Sequence, residues 1–138
     1  VPVRLIPDIK AGADLVLPDG RIIDNSILTT PATPSSSYAY CSDTMFDTRV
    51  AEAVKGVDTI YHEATYLSDL AQSAHERGHS TAAEAAQIAK LAGAKRLIIG
   101  HYSKRYIDFT PLLEEARAIF PNTIAADEGL VVDLHTAL

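Results

Sequence analysis

His101, directly after the run Arg96-Leu97-Ile98-Ile99-Gly100, is the residue with the most chemical content in this chain. Three other groups accompany it: Ser42-Asp43-Thr44, His62-Glu63-Ala64-Thr65 and His79-Ser80-Thr81. Each falls at or just beyond the end of an expected element, where a fold displays functional side chains. Imidazoles and carboxylates gathered at such ends are the ligands and proton-handling groups of a metal-dependent hydrolase. Their spacings are long, so these groups meet only through the tertiary fold.

One short stretch offers a local alternative. His75-Glu76-Arg77-Gly78-His79 matches the His-Glu-x-x-His pattern, in which one helical turn presents both imidazoles to a zinc ion. Gly78 inside that turn costs about 1 kcal/mol of helix relative to alanine. A capping signal begins at Ser80, so His79 belongs to a break between helices and His75 to a solvent-facing helix surface. Taken singly, Asp43 also reads as a cap for its loop or the following helix, and His62 or His101 as structural. Their joint occurrence and order carry the chemistry. His135 belongs to the tail and has no assigned role.

The positioning elements follow from pattern. Val3 to Lys10 reads as a short helix ended by Ala11-Gly12. Asp19-Gly20 marks a hairpin turn between strands Leu15–Leu17 and Arg21–Ile23. Thr29 to Ser37 is a Pro/Thr/Ser-rich loop. Tyr38-Ala39-Tyr40-Cys41 reads as a strand running into Ser42-Asp43-Thr44, and Asp47 to Lys55 as a helix closed by Gly56. Val57 to Tyr61 is a strand ending at His62, and Leu67 to Arg77 a helix ended by Gly78. Thr81 with Glu84 fits a capping box for a helix over Ala82 to Ala92, stopped by Gly93. Leu97 to Ile99 forms a strand into His101. Pro111 to Ile119 is a helix with proline in its first turn. Pro121-Asn122 turns the chain, and Leu130 to Leu134 is expected as a final strand. The alternation argues for an α/β fold with helices covering a sheet. No internal repeat is visible.

The chain has 138 residues, enough for one domain with a core, and 47% of them are apolar, which places it among ordinary globular proteins. No apolar run approaches the ~20 residues of a membrane helix. Val1-Pro2-Val3-Arg4 does not begin a secretory signal, because no apolar h-region follows. Cys41 is the single cysteine, so no internal disulfide forms, and a lone thiol points to a reducing compartment, the cytoplasm. The net charge of −6 argues mildly against a broad nucleic-acid surface. Lys95-Arg96 with Lys104-Arg105 is the one compact basic cluster, bracketing His101, and by itself reads as solvated surface.

Read in order, Tyr40-Cys41-Ser42-Asp43-Thr44, His62-Glu63-Ala64-Thr65-Tyr66, His79-Ser80-Thr81, His101-Tyr102-Ser103-Lys104-Arg105-Tyr106 and Phe120-Pro121-Asn122-Thr123 resemble the C-terminal part of the ribonuclease Z family. These are the tRNA 3′-processing endonucleases of the metallo-β-lactamase superfamily. The opening, with Ile9-Lys10-Ala11-Gly12 and Leu17-Pro18-Asp19-Gly20-Arg21, is also similar. The resemblance implies half of a metallo-β-lactamase-type αββα sandwich, one sheet covered by helices, over residues 1–138, with the N-terminal half absent. It implies a two-zinc site in the full-length enzyme, with Asp43 as the carboxylate bridging both ions and His101 as a ligand of one. Glu63 and His79 match the catalytic pair, Glu63 orienting His79, and His79 protonating or hydrogen-bonding the leaving 3′-oxygen. A carboxylate partner fixes an imidazole's tautomer, as such a role requires. Arg105 matches a substrate-phosphate contact, since guanidinium suits phosphate oxygens. Thr44, Thr65 and Ser80 are expected to shape loops.

The reaction so implied is metal-assisted hydrolysis that removes the 3′ trailer from precursor tRNA and leaves a 3′-hydroxyl on the tRNA. A relative acting on another phosphodiester and a non-catalytic α/β fragment are the alternatives. The family's His-x-His-x-Asp-His motif has no counterpart here, and Ser35-Ser36-Ser37 stands where many members carry Gly-Arg. The isolated chain is therefore expected to be inactive on precursor tRNA, to bind zinc weakly or not at all, and to self-associate as a homo-oligomer, a homodimer, through a sheet face left bare.

Overall fold

Successive strand–helix–strand crossovers build most of this chain. The computed structural model describes residues 1–136, and the chain divides into two compact units, Val1–Ser35 and a second beginning at Ser36.

In the first unit a 3-10 turn, Val3–Leu5, runs into α1, Ile6–Lys10. Strands β1, Leu15–Val16, and β2, Ile22–Ile23, pair antiparallel across the Asp19-Gly20 turn, with Gly20 at φ +83°. This is the hairpin the sequence signalled. The sequence did not signal α2, Asn25–Leu28, which Asp24 caps by accepting the Ser26 N–H. The Asn25 amide donates to the carbonyls of Ile9 and Ala13 at 2.7 and 2.8 Å, tying α2 to the end of α1.

The second unit runs β3 (Tyr38–Cys41), α3 (Thr48–Ala53), β4 (Thr59–Glu63), a 3-10 turn at Ser68–Leu70, α4 (Ala71–Glu76), α5 (Ala82–Ala92), β5 (Arg96–Gly100), α6 (Thr110–Arg117) and β6 (Thr123–Ala125). The sheet order is β3-β4-β5-β6, and every neighbouring pair is parallel. Parallel strands need crossovers, and helices supply them. Helix α5 packs on β4 and β5 with α3 and α6 beside it.

Composition explains the packing. On α5, Ala82, Ala85, Ala86, Ile88, Ala89 and Ala92 are buried, a recurrence at three and four residues that makes one apolar stripe. Alanine lets this helix approach the sheet closely. Ile60, Leu97, Ile99 and Leu112 complete the core without solvent exposure. The expected capping box is present, Thr81 receiving the Glu84 N–H and Glu84 the Thr81 N–H, and Gly93 ends the helix at φ +67°. Among the described residues no helix is long and apolar enough to cross a membrane.

Two expectations need correction. Leu130 to Leu134 is not a strand. Arg96 instead donates to the Asp133 carbonyl at 3.0 Å, and Leu130, Val132 and Leu134 line a cavity with Tyr38, Tyr61 and Ile98 on the sheet face opposite the helices. The fourth strand is Thr123–Ala125, three residues on the sheet edge. Its β-branched pair was obscured by the adjacent Pro121-Asn122 turn signal. Strand β4 also begins at Thr59 and runs one residue past His62, through Glu63.

Candidate metal centre

Register places the site. Cys41 is level with His62, His62 with Ile99, and Glu63 with Gly100. Three adjacent parallel strands thus end at one rim, and the residues just beyond, Asp43, Thr65 and His101, emerge together. Carboxyl ends of parallel strands are where open α/β sheets place ligands.

The backbone at two of these positions is unusual. Asp43 has φ 49° and His101 has φ 60°, the only positive values at non-glycine residues among those described. Left-handed backbone outside glycine is uncommon, is better tolerated by aspartate and histidine, and clusters at functional sites. It turns the chain sharply at each strand end and directs both side chains into one space. His101 Nε2 lies 3.4 Å from Asp43 Oδ1. Ligand atoms of Asp43, His79 and His101 all fall within 4.8 Å of one another. Asp43 does not cap α3; Asp47 does, receiving the Arg49 N–H at 2.8 Å.

Glu63 organises the rim from beneath. It is fully buried, and each carboxylate oxygen meets two donors. Oε1 accepts the Thr44 N–H at 2.8 Å and faces His79 Nδ1 at 3.0 Å. Oε2 accepts the Thr65 hydroxyl at 2.6 Å and the Ser80 N–H at 3.0 Å. Buried charge is tolerated only when so satisfied. A carboxylate with all its positions taken by donors can only accept, so His79 carries a proton on Nδ1 and leaves Nε2 free of Glu63.

Four loops are locked around this carboxylate. The Ser80 hydroxyl donates to the Thr44 carbonyl at 2.7 Å. The Thr65 N–H donates to the Ser80 carbonyl, the Ala82 N–H to the Tyr66 carbonyl, and the Ser103 N–H to the Thr65 carbonyl, at 3.1, 2.9 and 3.0 Å. Thr44, Thr65 and Ser80 therefore shape the loops, as expected, and Thr65 does more. Its Oγ1 lies 2.9 Å from His101 Nδ1, a contact the sequence reading did not anticipate. The signal was present: Glu63 and Thr65 are two residues apart, and in extended chain such side chains share a face.

The remaining candidates separate. His62 faces away from the rim; it is fully buried, its Nδ1 donates to the Glu63 carbonyl at 2.8 Å, and its Nε2 has no partner. Burial lowers its pKa from the ordinary imidazole value of 6.5. His75 sits on α4 beside Glu84, 2.5 Å away, and Gly78 breaks the helix at φ +75°, so His75 and His79 share no helical turn. The basic cluster is divided. Lys95 pairs with Asp58 at 2.7 Å, and Arg96 begins the strand whose far end leads to His101, about 16 Å away at strand rise. Ser37 donates from its N–H and its hydroxyl to Asp58, a structural use of the serine run. Arg105 does reach the rim: its guanidinium carbon lies 5.1 Å from the centroid of the Tyr66 ring, whose edge faces His79. Beside His101 opens a cavity of about 380 Å³ lined by Tyr61, Tyr102, Phe109 and Asp127 among others.

Comparison with known proteins places these residues in context. Residues 27–102, which contain Asp43, Glu63, His79 and His101, match the family described as Beta-lactamase superfamily domain. The chain is 54% identical over 134 residues to ribonuclease Z of Porphyromonas gingivalis, covering 97% of this chain and 44% of that protein. Ribonuclease Z of Parabacteroides distasonis is 52% identical over 130 residues, covering 94% of this chain and 43% of the relative. Bacteroides fragilis ribonuclease Z is 49% identical over 134 residues, with 97% and 44% covered. The chain thus spans less than half the length of the curated relatives it matches. Among solved structures, the metallo-beta-lactamase fold protein YhfI from Bacillus subtilis superposes with TM-score 0.64 at 24% identity, covering 72% of this chain and 40% of that one.

Proposed function

As a chain that belongs to the beta-lactamase superfamily domain family, this protein supplies, we propose, the C-terminal portion of a zinc-dependent endoribonuclease that removes the 3′ trailer from precursor tRNA. The observation that carries the proposal is the convergence of Asp43, His79 and His101 above the buried Glu63. Identity of 54% to a ribonuclease Z along 97% of the chain supports the choice of substrate.

The donor set fits a metal ion. An imidazole nitrogen and a carboxylate oxygen are both ligand types that zinc accepts. Two ligand atoms at about 2.0–2.2 Å from a tetrahedral zinc lie about 3.4 Å apart, which is the spacing between His101 Nε2 and Asp43 Oδ1. Asp43 and His101 would hold the metal. The metal, when bound, supplies Lewis-acid charge to the scissile phosphodiester.

This chain's own residues supply the rest. Glu63 holds His79 by Nδ1, and the His79 Nε2 edge faces the rim, where it can hold a proton against the leaving 3′-oxygen. Arg105, stacked on Tyr66, carries a guanidinium within reach of a substrate phosphate. Further ligands come from outside these residues, so the isolated chain is expected to be inactive. The single, half-buried thiol of Cys41 fits the proposed cytoplasmic setting. Tyr38 and Tyr40, 45% and 65% exposed, are the proposed contact of a homodimer, and size-exclusion chromatography across concentrations tests it.

The deciding experiment extends the chain to the full length of its relatives and offers it precursor tRNA beside a small generic phosphodiester. A tRNA with a 3′-hydroxyl end, formed only with metal, is the expected product. Turnover of the generic substrate with no tRNA cleavage would replace this reading by that of a phosphodiesterase of other specificity.

A further inference from the structure

We infer that Thr65 is a positioning residue that fixes the tautomer of His101, so that Glu63 controls both imidazoles of the site, His79 directly and His101 through the Thr65 hydroxyl. The inference rests on the proposed metal centre for its functional meaning, but its geometry stands apart from any metal.

Proton accounting carries the argument. The Thr65 hydroxyl has one proton and two lone pairs. Three groups surround its oxygen: Glu63 Oε2 at 2.6 Å, His101 Nδ1 at 2.9 Å and the His101 carbonyl at 2.9 Å. The shortest contact is to the buried carboxylate, and a charged acceptor makes the stronger hydrogen bond. The hydroxyl proton therefore goes to an oxygen, chiefly Glu63 with the His101 carbonyl as the longer acceptor, and not to His101 Nδ1. The oxygen, now an acceptor toward His101, requires Nδ1 to be the protonated nitrogen. His101 Nε2 is left bare at 3.4 Å from Asp43. With the hydroxyl gone, no other hydrogen-bond partner among the described residues holds a proton on Nδ1, and Nε2–H would be free to hydrogen-bond Asp43 instead. That tautomer blocks the nitrogen a metal needs. Hydrogen bonds of this kind behind a ligand imidazole set its orientation and are worth about 10–100-fold in metal affinity.

The test uses the whole 138-residue chain without metal, at about pH 8.5, where an ordinary imidazole is neutral. Nitrogen-15 NMR reports which ring nitrogen carries the proton. In the unsubstituted chain His79 and His101 are both expected to be protonated on Nδ1. Thr65→Val, and Thr65→Ala as a second hydroxyl-free variant, should move His101 toward Nε2–H and leave His79 unchanged. Thr65→Ser should restore the original pattern. In a parallel zinc titration of the chain extended to the length of its relatives, both hydroxyl-free variants should bind at least 10-fold more weakly than the serine variant.

His101 protonated on Nε2 in the unsubstituted chain would overturn the inference, whether or not the variants fold. So would an unchanged His101 in a folded Thr65→Ala chain. If the tautomers behave as expected but zinc binds nowhere, the positioning role stands and the metal-centre reading fails.

Discussion

Asp43 and His101 share a left-handed backbone, φ 49° and 60°, that no other non-glycine residue among those described adopts, and their side chains meet at 3.4 Å. They stand at the ends of β3 and β5, with β4 between them. Strain of this kind costs about 1–3 kcal/mol per residue. Here it bends two strand ends toward each other over the strand that carries Glu63.

Zinc affinity should follow from this pair. Asp43→Ala and His101→Ala are each expected to weaken zinc binding at least 10-fold in the chain extended to the length of its relatives, measured by isothermal titration, with the far-ultraviolet circular dichroism unchanged. Both side chains are exposed, 72% and 40%, so neither truncation opens a core cavity. Unaltered affinity in both variants would remove them from the ligand set.

Glu63 is a different case, because it is buried and meets four donors. Glu63→Gln puts an amide NH₂ where donors already point. The expected loss is about 3 kcal/mol, since each unsatisfied buried donor costs about 1–3 kcal/mol. Urea denaturation measures it, and a loss below 0.5 kcal/mol (~0.5 on the scale of neutral surface changes) would contradict the network.

The chain should lose stability in mild acid through His62. Burial depresses its folded pKa below the ordinary 6.5. Above that value both folded and unfolded states hold it neutral. As pH falls below it, the unfolded chain takes up the proton first, so stability declines until the lower folded pKa is reached. His62→Phe should flatten the stability profile across that window, followed by urea midpoints at successive pH values. An equal acid slope in both chains would show that His62 does not contribute.

Gly100 sits at the end of β5, where a Cβ would collide with the Tyr61 ring and its hydroxyl oxygen. Gly100→Ala should destabilise by about 2 kcal/mol through overpacking. A second change, Tyr61→Val, should recover part of that loss, a coupling read from a double-mutant cycle. Independent, additive losses would mean that the ring yields without cost.

How much was legible in advance depended on range. Local signals were reliable. Asp19-Gly20 turned the β1–β2 hairpin, Thr81 and Glu84 capped α5, Gly93 stopped it, and alternating apolar segments gave the helix-covered sheet. Each acts between residues close along the chain. Local signals mislead where they compete: the Pro121-Asn122 turn hides β6, and the apolar stretch Leu130 to Leu134 reads as a strand although it lies outside the sheet.

The identities of Asp43, Glu63, His79 and His101 were set by the sequence, because residue type and order alone matched the resemblance that singled them out. Their meeting was decided by the parallel register of β3, β4 and β5, which brings three strand ends to one rim. The role of Thr65 also waited on the fold. A hydroxyl has no fixed partner in sequence, and its proton goes to whichever acceptor the packed structure brings nearest. In this chain that acceptor is Glu63, at 2.6 Å, and the oxygen left over faces His101.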